Sequence, residues 1–179
     1  MSCVTTNAQR LSIGDTLPDF CFEPVGNGAF SGNSLSSINA PLTIIDFWAV
    51  WCTACSAAFP KLDTLQHAFT GQLQIVLVNN YPHTKDNAIT IDRFISGYIR
   101  KYPGFSVPVV QLSSEALRQS FPFIYIPHYV WLGPGRRILG MTGTDALTED
   151  NIRAILGGSV PLLPLKNDHY DLSPSNSFK

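Results

Sequence analysis

The chain has 179 residues, of which 45% are hydrophobic and 14% are charged, and its formal net charge is -1. This length fits one domain with room for an insertion or a tail. The balanced charge provides neither a basic field for nucleic acid nor an acidic tail, so it predicts no electrostatically steered partner.

No apolar run reaches about 18 residues, so no transmembrane helix is predicted. Residues 1–10 are polar and are expected to be flexible. They lack the basic start and apolar stretch of a signal peptide, although a mature chain whose leader has been removed would look the same. The four cysteines are too few and too scattered for a disulfide scaffold, and the four histidines form no ligand array. We therefore expect no metal and no bound cofactor.

The first half of the chain predicts three strands and a helix. Alternation over residues 17–23 indicates a strand. Residues 42–48 are almost continuously apolar, as in a strand buried on both faces, and Asp46 is the one ionisable residue among them. Apolar residues then recur every three or four positions over residues 55–70, which predicts a helix. Residues 73–78 predict a second buried strand.

The middle of the chain mixes helices with irregular segments. Residues 79–85 are polar and predict a loop, whereas an apolar stripe over residues 88–101 predicts a helix. Residues 107–110 are short and interrupted by proline, so we predict an extended connector there rather than a central strand. Ser113 or Ser114 is expected to cap a short helix.

The last third predicts paired strands at residues 129–132 and 137–142, and then a helix capped by Thr148. Residues 158–179 are expected to form a tail on the surface or to be disordered. The order of elements predicts an α/β fold: a central mixed sheet with helices on both faces and an N-terminal strand or hairpin extension. One domain would span residues 11–157.

Two cysteines lie where a buried strand gives way to a helix. The N–H groups and dipole at a helix N-terminus favour a thiolate, so the pKa of Cys52 is predicted to lie below the ordinary value of about 8.5. Cys55 lies one turn further along the same face and is expected to be more buried. This asymmetry indicates a two-step exchange, in which Cys52 attacks a disulfide and Cys55 resolves the mixed disulfide. The competing interpretation is a structural disulfide or two inert thiols.

Cys55 needs a proton acceptor before it can attack. Asp46 is the candidate, because a carboxylate inside an apolar strand is costly to ionise and its pKa should rise toward neutrality. It could then relay a proton through a water molecule. The alternative is a buried aspartate that is bonded to the backbone.

The segment from Ile45 to Cys55, IDFWAVWCTAC, with Pro60 five residues on, closely resembles the active-site segment of thioredoxins. An N-terminal Gly-x-x-x-Pro-Asp-Phe string and a Phe-Pro pair in the helix look more like the TlpA/ResA-type branch of envelope thiol–disulfide oxidoreductases. These residues are Gly14, Pro18, Asp19, Phe20, Phe59 and Pro60.

The resemblance covers about residues 13–156. It implies the thioredoxin fold, with Cys52 as the nucleophile, Cys55 as the resolving thiol and Asp46 as the buried acid. It also implies protein or peptide disulfides as substrates and a membrane or soluble thiol reductant. The location that it implies is the bacterial periplasm or cell envelope, with the cytoplasm as the alternative.

The family also carries a cis-proline that faces the cysteines. Pro127 matches it, and Pro122 is the rival position. A cis bond at Pro127 would expose the backbone of Ile126, so that a substrate chain could pair with it. The competing interpretation is a trans proline that enters a strand.

Residues near the cysteines complete the expected substrate surface. Trp51 should border the sulfurs and hold a peptide on its flat ring, and we place Thr53 and Ala54 on the same surface. His128 is expected to be an exposed strand histidine, and the alternative is that it lends positive charge to the thiolate. Cys21 should pack as a small hydrophobe, and Cys3 would be a free thiol or a lipid attachment point.

Three departures from the family pattern limit the transfer. Thr53-Ala54 replaces the Gly-Pro of thioredoxins, which leaves the redox potential open, and Ala58 stands where the branch usually has an acid. The segment from Asn80 to Phe121 is also longer than a minimal thioredoxin needs. Two other classes are possible: a peroxiredoxin-like thiol peroxidase, whose first-turn Thr and Arg are not matched here, and a non-catalytic thioredoxin-fold binding module, against which the cysteine pair argues.

Overall fold

A computed structural model of the chain describes residues 9–26, 32–159 and 161–166. Residues 1–8, including Cys3, and residues 167–179 lie outside the described residues, so the expectations for them stay predictions. The helices and strands are β1 (Glu23–Pro24), β2 (Leu42–Phe47), α1 (Thr53–Ala68), β3 (Leu73–Asn80), α2 (Tyr81–Thr84), α3 (Ala88–Lys101), β4 (Val109–Leu112), α4 (Glu115–Ser120), β5 (His128–Leu132), β6 (Ile138–Thr142) and α5 (Glu149–Leu156).

The strands form one mixed sheet in the order β1-β4-β3-β2-β5-β6. β2, β3 and β4 run parallel, whereas β1, β5 and β6 are antiparallel to the strands they pair with. All six residues of β2 are buried, which explains its continuous apolar run. The predicted mixed α/β sheet is confirmed.

Each face of the sheet has its own hydrophobic core. On one face, Ile44 and Leu77 belong to a cluster that also holds buried residues of α1, α3 and α5. On the other face, Ile45 and Val78 pack with α4 and with the N-terminal segment. Helices therefore cover both faces. None of the helices in the described ranges has the length and apolarity needed to span a bilayer.

Local signals in the sequence account for several element boundaries. α3 spans the predicted residues 88–101, and a capping box formed by Asn87 and Thr90 fixes its start. Ser114 caps α4 and Thr148 caps α5, as expected. α1 begins at Thr53, two residues earlier than the apolar periodicity predicts, since Cys52 itself occupies the N-cap position.

Three predicted segments differ from the structure. The strand expected at residues 17–23 is reduced to β1 and isolated bridges at Thr16 and Cys21, so alternation there does not produce a regular ladder. The loop expected at residues 79–85 is wrong: its first two residues end β3, and a short helical turn, α2, follows. The connector expected at residues 107–110 is also wrong, because β4 lies inside the sheet between β1 and β3.

Part of the expected surface tail packs onto the domain. Leu163 is buried in the core, and Leu165 forms an antiparallel bridge with Thr142 of β6. The N–H of Lys166 also donates to the carbonyl of Met141 at 2.9 Å. Residues 161–166 thus lie along the edge of the sheet beside β6, with Leu163 packed inward.

Candidate active site

Cys52 and Cys55 form a disulfide bond at the start of α1, with their sulfurs 2.04 Å apart and their Cα atoms 5.3 Å apart. β2 ends at Phe47, and a short loop connects it to this helix. Both cysteines are buried, and Cys55 is the more buried of the two. The structure therefore brings together the two sulfurs that the sequence places three residues apart.

The sulfur of Cys52 takes part in capping α1. The N–H of Cys55 donates to Cys52 Sγ at 3.1 Å, and the N–H of Ser56 donates to the carbonyl of Cys52 at 3.2 Å. The first turn of α1 contains no acidic residue. No carboxylate within the first turn of α1 therefore neutralises the positive end of the helix dipole, and this favours negative charge on Cys52 Sγ.

Asp46 is fully buried on the face of the sheet that α1 covers, the face shared by Ile44 and Trp48. Within the described residues, neither of its carboxylate oxygens has a hydrogen-bond partner. Burial raises the pKa of Asp46 well above its ordinary value, because desolvation penalises the charged form. The expected direction of its pKa is confirmed, and the alternative of a backbone-bonded aspartate does not match the structure.

The three residues expected on the substrate surface beside the cysteines are exposed. Thr53 and Ala54 form the first turn of α1, and the side chain of Trp51 is 63% exposed. The indole Nε1 of Trp51 donates to the carbonyl of Thr84 at 2.8 Å, so the ring is held at one edge while its faces meet solvent.

The peptide bond between Ile126 and Pro127 is cis, as expected. Pro127 directly precedes β5, whose first residue, His128, pairs with Phe47 at the end of β2. This register places Ile126 and Pro127 at the same end of the sheet as the loop that leads to Cys52. Pro122, the rival position, is buried.

A cavity of ≈ 230 Å³ opens beside this end of the sheet. Trp51 and Thr84 contribute to its wall, and the segment before the cis-proline contributes Phe123, Ile124 and Ile126. Its lining is largely apolar. Two residues from the expected substrate surface, Trp51 and Ile126, therefore share one concave surface.

Two expectations around the site are wrong. His128 is buried rather than exposed: its ring stacks on Phe123 with centroids 4.3 Å apart, which replaces water with an aromatic face. Cys21 is disulfide-bonded and so does not pack as a free hydrophobe. Trp48 is fully buried in the core.

Sequence reasoning missed Tyr129, which lies opposite Asp46 in the β2–β5 ladder and is fully buried. Burial and the charge of Asp46 raise the pKa of Tyr129. The sequence places Tyr129 two residues after Pro127, in a strand that should pair with β2. Predicting that it lies opposite Asp46 would also have required the register in which the two strands pair.

Comparisons with known proteins agree with this geometry. Residues 29–103 match the family model described as Thioredoxin. The chain is 24% identical over 161 residues to a thiol–disulfide oxidoreductase, ResA, of Bacillus subtilis, covering 88% of this chain and 83% of the relative.

Solved structures show the same fold. The thioredoxin domain of a thiol–disulfide oxidoreductase from Bacteroides vulgatus is 18% identical, with a TM-score of 0.59 and coverage of 83% of this chain and 97% of that one. StoA from Bacillus subtilis is 21% identical, with a TM-score of 0.53 and coverage of 69% and 86%.

Proposed function

We propose that this chain, which carries a thioredoxin domain, is a thiol–disulfide oxidoreductase that reduces disulfide bonds in proteins or peptides. The observation that carries the proposal is the Cys52–Cys55 disulfide at the N-terminus of α1, where the N–H of Cys55 points at Cys52 Sγ. A sulfur in that position is favoured as a thiolate, which is both the attacking and the leaving form in thiol–disulfide exchange.

The reaction begins from the reduced pair. The Cys52 thiolate attacks one sulfur of a substrate disulfide, a bond forms between the two sulfurs, and the other substrate sulfur leaves as a thiolate that takes a proton from solvent. Cys55, once deprotonated, attacks Cys52 Sγ and releases the second substrate thiolate. The substrate gains two electrons, and the protein is left with the Cys52–Cys55 disulfide present in this structure.

Asp46 accepts the proton of Cys55. Its carboxylate lies on the face of the sheet that α1 covers, and its raised pKa makes it a stronger base at neutral pH than an exposed aspartate. With Ala58 in the first turns of α1 in place of an acid, Asp46 serves this role alone. One water molecule would complete the path to the sulfur.

The substrate polypeptide lies across the surface formed by Trp51, Thr53, Ala54, Ile126 and Pro127, of which the first three are exposed and the last two are half-buried. Two observations support this placement: Trp51 is 63% exposed, and Trp51 and Ile126 line one cavity beside the loop that leads to Cys52. The backbone of Ile126 precedes β5 and is the place where an extended substrate segment would pair.

The compartment that suits this chain is oxidising, which in a bacterium means the periplasm or cell envelope. The resemblance to the TlpA/ResA-type branch of envelope thiol–disulfide oxidoreductases, which Gly14, Pro18 and the Phe59-Pro60 pair carry, supports this placement. A membrane-bound or soluble thiol reductant would return two electrons to the Cys52–Cys55 disulfide after each turnover.

Reduction of insulin by the purified protein, with dithiothreitol as the electron source, tests this function. Cys52→Ser should abolish the activity. Cys55→Ser should instead accumulate a mixed disulfide between Cys52 and the substrate, visible by mass spectrometry and released by excess dithiothreitol. Activity that survives Cys52→Ser would contradict the proposal.

Two further assays separate the alternative classes. Rapid consumption of hydrogen peroxide, without protein-disulfide reduction, would identify a peroxidase. Alkylation of the reduced protein at graded pH should show one thiol that reacts at unusually low pH, whereas two ordinary thiols would identify a binding module.

A further inference from the structure

Two loops meet at the end of the sheet that carries the cysteines. One runs from Trp48 to Cys52 after β2, and the other runs from the end of β3 through α2 to the start of α3. Because β2 and β3 are adjacent and parallel, both loops leave the sheet at the same edge. Hydrogen bonds that the first loop donates to acceptors in the second loop hold it in place.

Asp86 makes the central contact. Its Oδ2 accepts from the backbone N–H of Val50 at 2.9 Å and from Asn79 Nδ2 at 2.8 Å. Asp86 is half-buried, and Asn79 is fully buried near the end of β3. The carboxylate thus ties the loop that precedes Cys52 to a rigid position in the sheet.

Thr84 extends the connection to Trp51. Its hydroxyl donates to Asn79 Oδ1 at 2.9 Å, and its carbonyl accepts from the Trp51 indole at 2.8 Å. We call Asp86, Asn79 and Thr84, with their bonds to Val50 and Trp51, the Asp86 network. It fixes the two residues that immediately precede Cys52, one through its backbone and the other through its side chain.

On either side of the Val50–Asp86 contact, backbone hydrogen bonds hold the loop that precedes Cys52. The N–H of Trp48 donates to the carbonyl of Val78 at 3.2 Å, and the N–H of Cys52 donates to the carbonyl of Ala49 at 3.0 Å. Between these two points, the loop is held by the carboxylate of Asp86. Removing that carboxylate leaves the N–H of Val50 without its partner and lets the loop move relative to the helix N-terminus.

We propose that Asp86 is a positioning residue for disulfide exchange, which holds Cys52 and Trp51 in the geometry that attack on a substrate disulfide requires. The inference rests on the proposed function of the cysteine pair. Asp86 acts through the hydrogen bonds it accepts and not by contact with the substrate. Its effect should therefore depend on an acceptor oxygen at this position more than on negative charge.

Three variants test the proposal. Asp86→Ala removes the acceptor, whereas Asp86→Asn keeps one acceptor oxygen and removes the charge. Asp63→Ala is the matched control: Asp63 Oδ1 also accepts from a backbone N–H and a side-chain hydroxyl, both of Ser106 and both at 2.8 Å, but it lies further along α1, away from the cysteines.

Two readouts separate positioning from general stability. The first is kcat/KM for reduction of insulin and of a small aromatic disulfide. We expect Asp86→Ala to lose about tenfold with both substrates, because a small misplacement of the attacking atom is costly, and we expect Asp86→Asn to recover most of the loss. Asp63→Ala should leave kcat/KM unchanged even where it lowers the free energy of unfolding.

The second readout is the fluorescence of Trp51, obtained as the difference between each protein and the same protein with Trp51→Phe, which subtracts the buried Trp48 and Trp131. Asp86→Ala should lower the anisotropy of Trp51 and raise its quenching by acrylamide, and Asp86→Asn and Asp63→Ala should not.

Equal kcat/KM losses in Asp86→Ala and Asp63→Ala, or in Asp86→Ala and Asp86→Asn, would overturn the proposal. A wild-type protein without exchange activity would instead refute the proposed function, while the fluorescence would still test the network.

Discussion

Asp46 and Tyr129 face each other across the β2–β5 ladder, and both are fully buried. Burial raises the pKa of both groups, and the charge of Asp46 raises that of Tyr129 further. Tyr129 is therefore neutral at physiological pH and offers no counter-charge to an ionised Asp46. The carboxylate can lose its proton only at a cost to stability, which links its proposed chemical role to the pH dependence of folding.

Asp46→Asn should stabilise the protein at neutral and alkaline pH. The folded-state pKa of Asp46 is raised, so the folded state holds a proton that the unfolded state has already released. Stability associated with this proton is present below the unfolded pKa of about 3.9 and is lost as pH rises through the folded pKa. The loss amounts to about 1.4 kcal/mol for every pH unit that separates the two pKa values. The gain in the free energy of unfolding should therefore be larger at pH 8 than at pH 5, as measured by denaturant titration.

Asp63→Asn is the control for this measurement. Asp63 accepts hydrogen bonds from Ser106, so its replacement weakens native contacts. It should bring no gain in stability at either pH. An Asp46→Asn protein that is less stable than the wild type at pH 8 would show that the buried carboxylate has a favourable partner when it is ionised.

Asp46→Asn should also slow the second chemical step. Without the carboxylate, Cys55 must lose its proton to solvent, so the mixed disulfide should decay on the order of 100-fold more slowly at pH 7. In the wild type, the rate should rise with pH as Asp46 ionises, and this rise should be absent in the variant. Rapid-quench mass spectrometry of the mixed disulfide measures both rates. Equal decay rates at pH 7 would remove Asp46 from the proton path.

Trp51→Ala should weaken substrate binding while leaving the fold intact. The ring is 63% exposed, so its loss should change the free energy of unfolding by no more than about 1 kcal/mol. The KM for a protein disulfide should rise about five- to tenfold, since a large flat apolar contact is lost. Ile89→Ala removes a side chain that is 70% exposed on α3, outside the proposed substrate surface, and serves as the control. A KM that is unchanged by Trp51→Ala would remove this residue from the proposed substrate surface.

Local signals predicted the parts of the fold that depend on neighbouring residues. α3 has its own N-cap pair and its own apolar stripe, so its bounds follow from the sequence. The same holds for the cysteine pair, whose position between a buried strand and a helix predicts the chemistry. Pro127 was identified through a family resemblance, and the structure confirms its cis bond.

The parts that were missed depend on partners far away in sequence. Asn79 and Asn80 look like loop residues, but their amides bond to Asp86 and to the backbone of Ser114, which satisfies their polar groups at the buried end of β3. Pro108 argued against a central strand, yet β4 begins after it, and its carbonyl still accepts from the N–H of Leu77 at 2.9 Å. Neither the side-chain hydrogen bonds of these asparagines nor the pairing of β4 with β3 can be predicted from the residues that adjoin them in sequence.

The segment after α5 gives a matched pair of neighbours for testing its packing. Leu162 is 100% exposed and Leu163 is 5% exposed. Leu163→Ala should lower the free energy of unfolding by about 2–3 kcal/mol, because it leaves a cavity against the sheet, whereas Leu162→Ala should change it by about 0.5 kcal/mol or less. Denaturant titration of both variants measures the difference. Equal small effects would mean that residues 161–166 do not pack in solution as they do here.

Gly140 in β6 explains why Leu163 can come so close to the sheet, and it provides a sharper test of the same contact. A Cβ at Gly140 would lie 2.7 Å from Leu163 Cδ1, so Gly140→Ala should displace this leucine and destabilise the protein. In a Leu163→Ala background the added methyl group has room, and the cost of Gly140→Ala should shrink or vanish. The two substitutions should therefore be non-additive in a double-mutant cycle, by at least about 0.5 kcal/mol. Strict additivity would show that the two residues do not touch, and that the segment after α5 leaves the edge of β6 uncovered.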